Sequence, residues 1–443
     1  MKATKYIFLI QLFLISVILV GQNNQTFLSL DDAIQRSLAN RYDLKIQKIN
    51  TKISETQVDE VTTRNLPQVT SDLDVRYNNQ LQTNVIPGSV FGIPNSPNKD
   101  VQFGTKYNTL WGVNLNQTVF NPLNRSDKKI ADIQSEYQRL NEKLTETTIK
   151  QEVTEAYFTA LLWKEKVLLS AENVKRAEEM YEVTKDQLSM AQATPYDVRR
   201  YKIDEENAKA SDEQNKRNYE LSLSDLAYKI SDDSIKTLVL SDKITDFIQQ
   251  FSLVPKENEE VKRTELSQEK VQLEIYRLNI QKQKLLYLPS LSVYGNYSYQ
   301  YLNKEFTPFT SASWYPFNYF GVKASFPIFD GGLKSKTRQE FELKSQLSKF
   351  NYNKLSRDFK QEVKSAQTTL NNALIDLDYQ KKNLELIEEL YKIDAERFKN
   401  GAIKQVDLTS TAYTLQQTQT NYLNSGYNYL VAVVRYKKAL GLL

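Results

Sequence analysis

The sequence predicts an α+β membrane protein in which one helix–strand–strand–helix unit is used twice, with long coiled-coil helices and four β-strands per chain. Three observations carry that prediction. Four segments alternate apolar and polar residues with period two. Two long stretches place apolar residues at heptad spacing. These stretches, with the segments around them, repeat one another along the chain.

Composition narrows the chemistry. The chain has 443 residues and neither cysteine nor histidine. Without cysteine there are no disulfides, no thiolate metal sites, no thiol nucleophile and no lipid-anchored N-terminal Cys. Without histidine the commonest general base and metal ligand is gone. Carboxylate or lysine catalysis stays open, but no convergent motif supports an enzyme, and no cofactor or metal is expected. Asp72 and Asp74 share a strand face, which suits a wet barrel interior better than catalysis. The charge is nearly balanced at +4, with no basic tract to suggest a nucleic-acid partner. Only 12 Gly and 11 Pro favour long helices over a compact α/β domain.

Residues 1–21 read as a signal peptide. Lys2 and Lys5 precede the apolar run Tyr6 to Val20, which is short for a membrane span; a single N-terminal anchor helix is the alternative. Residues 22–230 form the first repeat. Ser29 is a candidate N-cap with Asp32 behind it, opening one helix, LDDAIQRSLANRYDLKIQKINTKISETQVDEV, that ends before Leu66-Pro67. A strand at about 67–80 puts Val69, Leu73, Val75 and Tyr77 on one face and Asp72, Asp74 and Arg76 on the other. Residues 82–106 read as a long loop. A second strand, about 108–120, carries Trp111, Val113, Leu115 and Val119 on one parity, and Asn121-Pro122-Leu123 turns the chain into a long helical hairpin. Residues 231–263 are polar, lose the heptad and read as an irregular linker. The second repeat, 264–443, has strands at about 289–301 and 314–328 and a second long hairpin.

The repeat is visible residue by residue. Ile149 matches Phe359, Val153 matches Val363, Ala156 matches Ala366 and Tyr181 matches Tyr391, in steps of four and three. Both seams turn polar at the same two places, Ser170 with Gln380 and Thr184 with Asp394. Asp197 falls on Asp407, and Leu66-Pro67 on Leu288-Pro289. Each long helix covers about 67 residues, roughly 100 Å at 1.5 Å per residue, longer than any single globular core.

Four strands cannot close a barrel, and open edges invite aggregation. Oligomerisation is the direct solution, and a trimer would contribute twelve strands to one barrel. The strands are long enough to span an outer membrane. Tyr77, Trp111, Tyr297, Tyr299, Tyr301, Trp314 and Phe320 gather on the strands as a membrane aromatic belt would. The alternatives are an aromatic core inside a soluble β-sandwich and a structural coiled-coil protein of the envelope with no channel.

From LSLDDAIQRSLANRYDL to the C-terminus the sequence resembles the TolC-like outer-membrane efflux protein family. Its most specific pieces are the duplication, the Leu-Pro strand starts, FPIFDGGLKSKTRQE, NGAIKQVDL and YNYLVAVVRYKKALG. The resemblance implies a homotrimer with a twelve-stranded barrel in the lipid of the cell outer membrane of a Gram-negative bacterium. It also implies a periplasmic α-barrel of paired helices, closed at its far tip. Such a protein would be the exit duct of a tripartite efflux or type I secretion system. It would dock through a periplasmic adaptor onto an inner-membrane pump of RND or ABC type. The resemblance places the hairpin tips near Ala191 to Asp197 and Gly401 to Asp407. Asp407, its counterpart Asp197 and Ser410 would ring the constriction, where the family's second tip carries acids, so Ser410 makes this gate less acidic. Ala191, Pro195, Gly401 and Ile403 would meet the adaptor, with Ala191 where the family usually has Gly. Asp197 and Asp407 also suit capping of the helices that follow each turn.

Overall fold

A computed structural model describes residues 26–92, 97–231, 238–250, 262–310 and 314–443. The expected signal peptide lies outside them. The chain falls into two compact units. One holds residues 50–138 and 269–351, the other the rest. Among the described residues no helix is long and apolar enough to cross a membrane.

The first unit is built on a four-stranded sheet of β2 (Gln68–Tyr77), β5 (Tyr107–Phe120), β7 (Ser290–Asn303) and β8 (Trp314–Ser325). Their order is β2-β5-β7-β8 and every pair is antiparallel. Each repeat supplies a hairpin, and β5 against β7 joins the two repeats. The register runs straight across: Leu73 pairs with Trp111, Trp111 with Tyr299 and Tyr299 with Pro316. Directly paired residues share a face, so the strands add up to one apolar face and one mainly polar face, the latter interrupted by Tyr294 of β7 and Tyr315, Phe317 and Tyr319 of β8. β2 and β8 are the edges.

Two sequence expectations change here. The loop at 82–106 contains a small hairpin, β3 (Thr83–Ile86) with β4 (Lys99–Gln102). The fourth strand ends at Ser325 instead of about 328. Ser325 pairs with Ser290, the first residue of β7, so nothing faces the chain beyond it, and Pro327 has no N–H to offer a ladder.

The second unit is helical. It takes α1 (Leu30–Asn40), most of the long α3 (Asn124–Ser189), α4 (Pro195–Ile230), most of α7 (Leu333–Lys399) and α8 (Gln405–Leu440). The helices α3 and α7 have 66 and 67 residues, as the heptad seams predict. Seam residues Ile149, Val153, Ala156 and Ala160 are buried, as are Phe359 and Leu370 in the second copy. A helix expected to run unbroken from Leu30 divides into α1 and α2 (Tyr42–Thr63). Arg41 between them has ψ 127°, outside the helical range. Its guanidinium donates to Glu152, 2.7 Å away, and to Asp43, which anchors the bend.

The expected irregular linker is partly ordered. It contributes β6 (Leu238–Leu240), parallel to β1 (Thr26–Leu28), and α5 (Ile244–Gln250). Phe247 on α5 meets the rings of Tyr157 and Phe158 at 6.4 and 5.2 Å. Ile248 lies so close to Gly426 of α8 that a Cβ there would sit 2.8 Å from its Cδ1. The buried Tyr157 hydroxyl is 2.8 Å from the Leu28 carbonyl oxygen and 2.7 Å from Asp242 Oδ2. The segment between the repeats is therefore stitched into the helical core. The remaining helix, α6 (Thr264–Leu285), leads back to the sheet.

Candidate functional site

Two regions carry chemistry beyond packing: the two faces of the sheet, and the turns that close the helical hairpins.

On the apolar face, Val69, Leu73, Val75 and Tyr77 of β2 continue into Trp111, Val113 and Leu115 of β5. Tyr297 and Tyr299 of β7 and Phe320 and Val322 of β8 complete it. Most of these side chains are exposed in the single chain, Phe320 at 92%. A solvated face this apolar and continuous needs a cover. Near the open end Tyr77 packs on Tyr107 at 5.1 Å, and Trp111 stacks on Tyr299 at 6.2 Å. The Tyr297 and Tyr299 hydroxyls are 3.0 Å apart. Phe320 lies roughly 20 Å further along β8 than Trp314, at about 3.4 Å per residue.

Two of the aromatic residues singled out above behave otherwise. Tyr301 is 0% exposed, so it does not present its ring outward. Its hydroxyl donates to the Glu305 carbonyl and accepts from Thr307 N at 2.7 Å. The Trp314 indole donates to the Pro308 carbonyl at 2.6 Å, and its ring packs on Tyr301. Both residues brace the β7–β8 loop. The period-two pattern gives the face they share with Trp111, but not the hydrogen bonds by which Glu305, Thr307 and Pro308 of their own loop engage them.

The opposite face carries Asp72, Asp74 and Arg76 of β2, Asn114 of β5 and Asn296, Ser298 and Gln300 of β7. A hydrogen-bond ladder crosses it. Ser298 donates to Asn296 Oδ1 at 2.7 Å, Asn296 to Asn114 Oδ1 at 2.6 Å, and Asn114 to Asp72 Oδ2 at 2.7 Å.

The hairpin turns are copies of each other in geometry. Ala191 and Gly401 both occupy the left-handed region, with φ of 58° and 70°. In one turn Gln192 N donates to the Gln187 carbonyl and Ala191 N to Leu188. In the other Ala402 N donates to Arg397 and Gly401 N to Phe398. Both are Schellman closures, which favour Gly at the position that Ala191 fills. Next, Thr194 caps α4, with Pro195 in the first turn. Asp197 Oδ2 accepts from Thr194 N at 2.9 Å and from its hydroxyl at 2.6 Å. These bonds, the hydroxyl first, hold the Asp197 carboxyl below the usual carboxylate range. In the second copy Asp407 Oδ2 accepts from Lys404 N at 3.2 Å, but lysine has no hydroxyl to complete the box. Each acid thus binds its own turn, and no hydrogen bond joins Asp197 to Asp407. Ile403 is half-buried in its turn. Ser410 lines a groove of about 590 Å³ with Val406, Tyr413, Met180, Arg200 and Tyr201.

The polar interruptions of the seams find partners that the heptad alone does not name. Ser170 donates to Asp212 at 2.7 Å, Thr411 donates to Asp394 at 2.7 Å, and Gln405 donates to the fully buried Thr184. For Asp212, burial pushes the pKa up, but bonds from Lys216 and Ser170 outweigh it and the net shift is down. Glu152 is likewise pushed up by burial and pulled below its ordinary value by Arg41 and Lys229. A depressed carboxylate adds stability above its unfolded pKa and loses it as pH falls through the folded one. The helical unit should therefore melt at progressively lower temperature below about pH 4. Circular dichroism melts against pH check this, and Asp212→Asn should flatten part of the slope.

The comparisons with known proteins agree with this architecture. The profile of the outer membrane efflux protein family matches residues 33–228 and 257–442. Among solved structures the chain is similar to CusC, at 15% identity, TM-score 0.74, covering 93% of this chain and 91% of that one. It is also similar to the Campylobacter jejuni CmeC outer membrane channel, at 15% identity, TM-score 0.71 and coverage of 93% and 85%. A third likeness is to the Neisseria gonorrhoeae MtrE outer membrane channel in its open state, at 18% identity, TM-score 0.69 and coverage of 93% and 88%. A search of curated proteins finds no match. The structural likenesses establish the fold; the profile spans most of the chain and names a family of outer-membrane transport channels, not enzymes. This chain belongs to the outer membrane efflux protein family.

Proposed function

We propose that three copies of this outer-membrane efflux channel protein close their sheets into one twelve-stranded barrel, with β8 of each copy pairing with β2 of the next. The observation that carries the reading is the sheet itself: one apolar face, one polar face and two unpaired edges in each chain. Lipid covers the apolar face, neighbouring copies satisfy the edges, and the polar face lines the lumen. Tyr77, Trp111, Tyr297 and Tyr299 mark one membrane interface. Phe320 lies deeper in the band, and Tyr301 and Trp314 stiffen the outer loop.

The helical unit forms the periplasmic extension. Its tips meet a periplasmic adaptor through Ala191, Pro195, Gly401 and Ile403, and the adaptor couples the duct to an inner-membrane pump of RND or ABC type. Cargo passes from the periplasm or the pump to the outside. Asp407 from three copies forms the constriction, with Asp197 and Ser410 beside it. Like charges gathered in a narrow neck attract cations.

Conductance in planar bilayers tests the gate. Asp407→Ala loses both the charge and the bond to Lys404 N, about 1 kcal/mol of capping. It should leave folding intact and raise the conductance of the closed trimer. Asp407→Asn keeps an acceptor for the turn, so it should mainly reduce cation preference. Unchanged conductance in Asp407→Ala would remove Asp407 from the gate.

A further inference from the structure

We propose that the polar face of the sheet holds a stacking site for planar aromatic solutes that carry hydrogen-bonding groups on the ring edge. The site is formed by Tyr315, Phe317 and Tyr319 of β8 with Tyr294 of β7. It rests on the reading above only in taking this face as the lumen, and it names a class of cargo that the face would retain on its way out.

The register puts these rings where the face would otherwise be polar. Tyr315 pairs with Gln300, Phe317 with Ser298, and Tyr319 with Asn296, so all six side chains share the face of Asp72 and Asn114. The three β8 rings are spaced two residues apart, a column of roughly 13 Å at about 3.4 Å per residue. Tyr294 continues it on the next strand, edge-on to Tyr319 with centroids 6.1 Å apart. Gly321 makes this possible. A Cβ at Gly321 would stand 2.7 Å from the Tyr294 hydroxyl, so the ring lies across a position that has no side chain. The β8 rings remain exposed in the chain.

Neither obvious cover reaches them. Lipid would lie on the other face, with Phe320 and Val322. A neighbouring copy pairing with the β8 edge would use backbone N–H and C=O groups, which point along the sheet and leave both faces clear. What remains is a solute in the lumen.

The neighbouring strand specifies its edge chemistry. Asn296 donates one amide hydrogen to Asn114 and keeps the second, and Gln300 gives one to Asn108. Each primary amide has two donors and an acceptor, so a row of amide groups lies one strand away from the rings, about 5 Å. A flat ring stacked on the column could turn its amino or hydroxyl edge toward them. Stacking on aromatic faces is tolerant of the ring's identity, which suits a duct.

Binding of ethidium to the purified full-length protein in detergent, read by fluorescence polarisation, tests the proposal. Saturable binding is expected. The triple variant Tyr315→Leu, Phe317→Leu, Tyr319→Leu should weaken it at least tenfold, about 1.4 kcal/mol. Phe317→Trp should retain it, and Phe320→Leu on the opposite face should leave it unchanged. If the triple variant does not fold, Phe317→Leu alone should give a loss of about twofold to threefold. Ethidium binding that survives ring removal overturns the site. Equal competition by maltose, whose ring is not aromatic, overturns the ligand class. Binding by a protein that conducts no ions in bilayers would leave the site standing and refute the channel reading instead.

Discussion

Leu115→Arg should prevent the protein from assembling in the outer membrane, whereas Asn116→Arg, one residue later, should be accommodated. Both residues are in the middle of β5, a strand paired on both sides, so the backbone context is the same. Their side chains point to opposite faces. Leu115 lies among Val69, Gly295 and Phe320 and is 41% exposed in the single chain, so little intramolecular packing is lost by replacing it. The cost comes from placing a guanidinium in hydrocarbon, about 2–4 kcal/mol near the midplane of a barrel. Closure of three sheets would incur it three times. Asn116→Arg faces water and the carboxylate-bearing strand. Heat-modifiable mobility of outer-membrane fractions reads the outcome, and equal assembly of both variants would reverse the assignment of the faces.

Gly441→Ala should destabilise the helical unit by about 3 kcal/mol, while a change in the opposite direction at Ala191 should stabilise it. Both positions close a long helix in the left-handed region, with φ of 79° and 58°. A non-glycine residue there costs about 1–2 kcal/mol. Gly441 carries a second penalty. Its added Cβ would run into the Lys262 backbone, 2.9 Å from the carbonyl carbon, in a turn that Arg263 also ties to the Lys438 carbonyl at 3.0 Å. Strain and clash together place it at the upper end of backbone penalties. At the tip the turn is open: a Cβ at the equivalent Gly401 would meet nothing within 4 Å. Ala191→Gly therefore relieves only torsional strain, offset by the greater freedom of glycine in the unfolded chain, for a gain of about 0.5 kcal/mol. Thermal melts of the two variants should move in opposite directions by unequal amounts.

Periodicity is the part of this fold that a sequence displays. Four alternating segments and two matched seams were enough for the strands, the long helices and the duplication, because each pattern repeats many times. What lacked repetition was hidden. The strand Leu238–Leu240 and the helix Ile244–Gln250 are too short to show a period, so the segment between the repeats looked irregular although Leu240 and Ile244 are core residues and Phe247 and Ile248 pack against the core. The pairing of β5 with β7, which unites the repeats, is a long-range choice with no local signal. Arg41 breaks a helix through partners such as Glu152 that are distant in sequence. At the tips the sequence marked Asp197 and Asp407 by their match to each other. The bonds that occupy them, and the hydroxyl that Lys404 lacks, follow from turn geometry. The aromatic column on the polar face was equally hidden, because it forms only when Tyr294 of β7 is set beside the rings of β8.

Barrel closure between copies is most directly tested by cross-linking β2 to β8. The chain contains no cysteine, so introduced pairs report without background. Cysteine at Leu73 would be combined in turn with cysteine at Pro316, Asn318, Phe320 and Val322, all on the same face of β8. A bridge needs Cβ atoms about 3.5–4.5 Å apart, so only the pair in register should oxidise. Barrel closure predicts covalent trimers on a denaturing gel from one of these combinations. Monomers alone from every combination, in protein that still reaches the outer membrane, would contradict it.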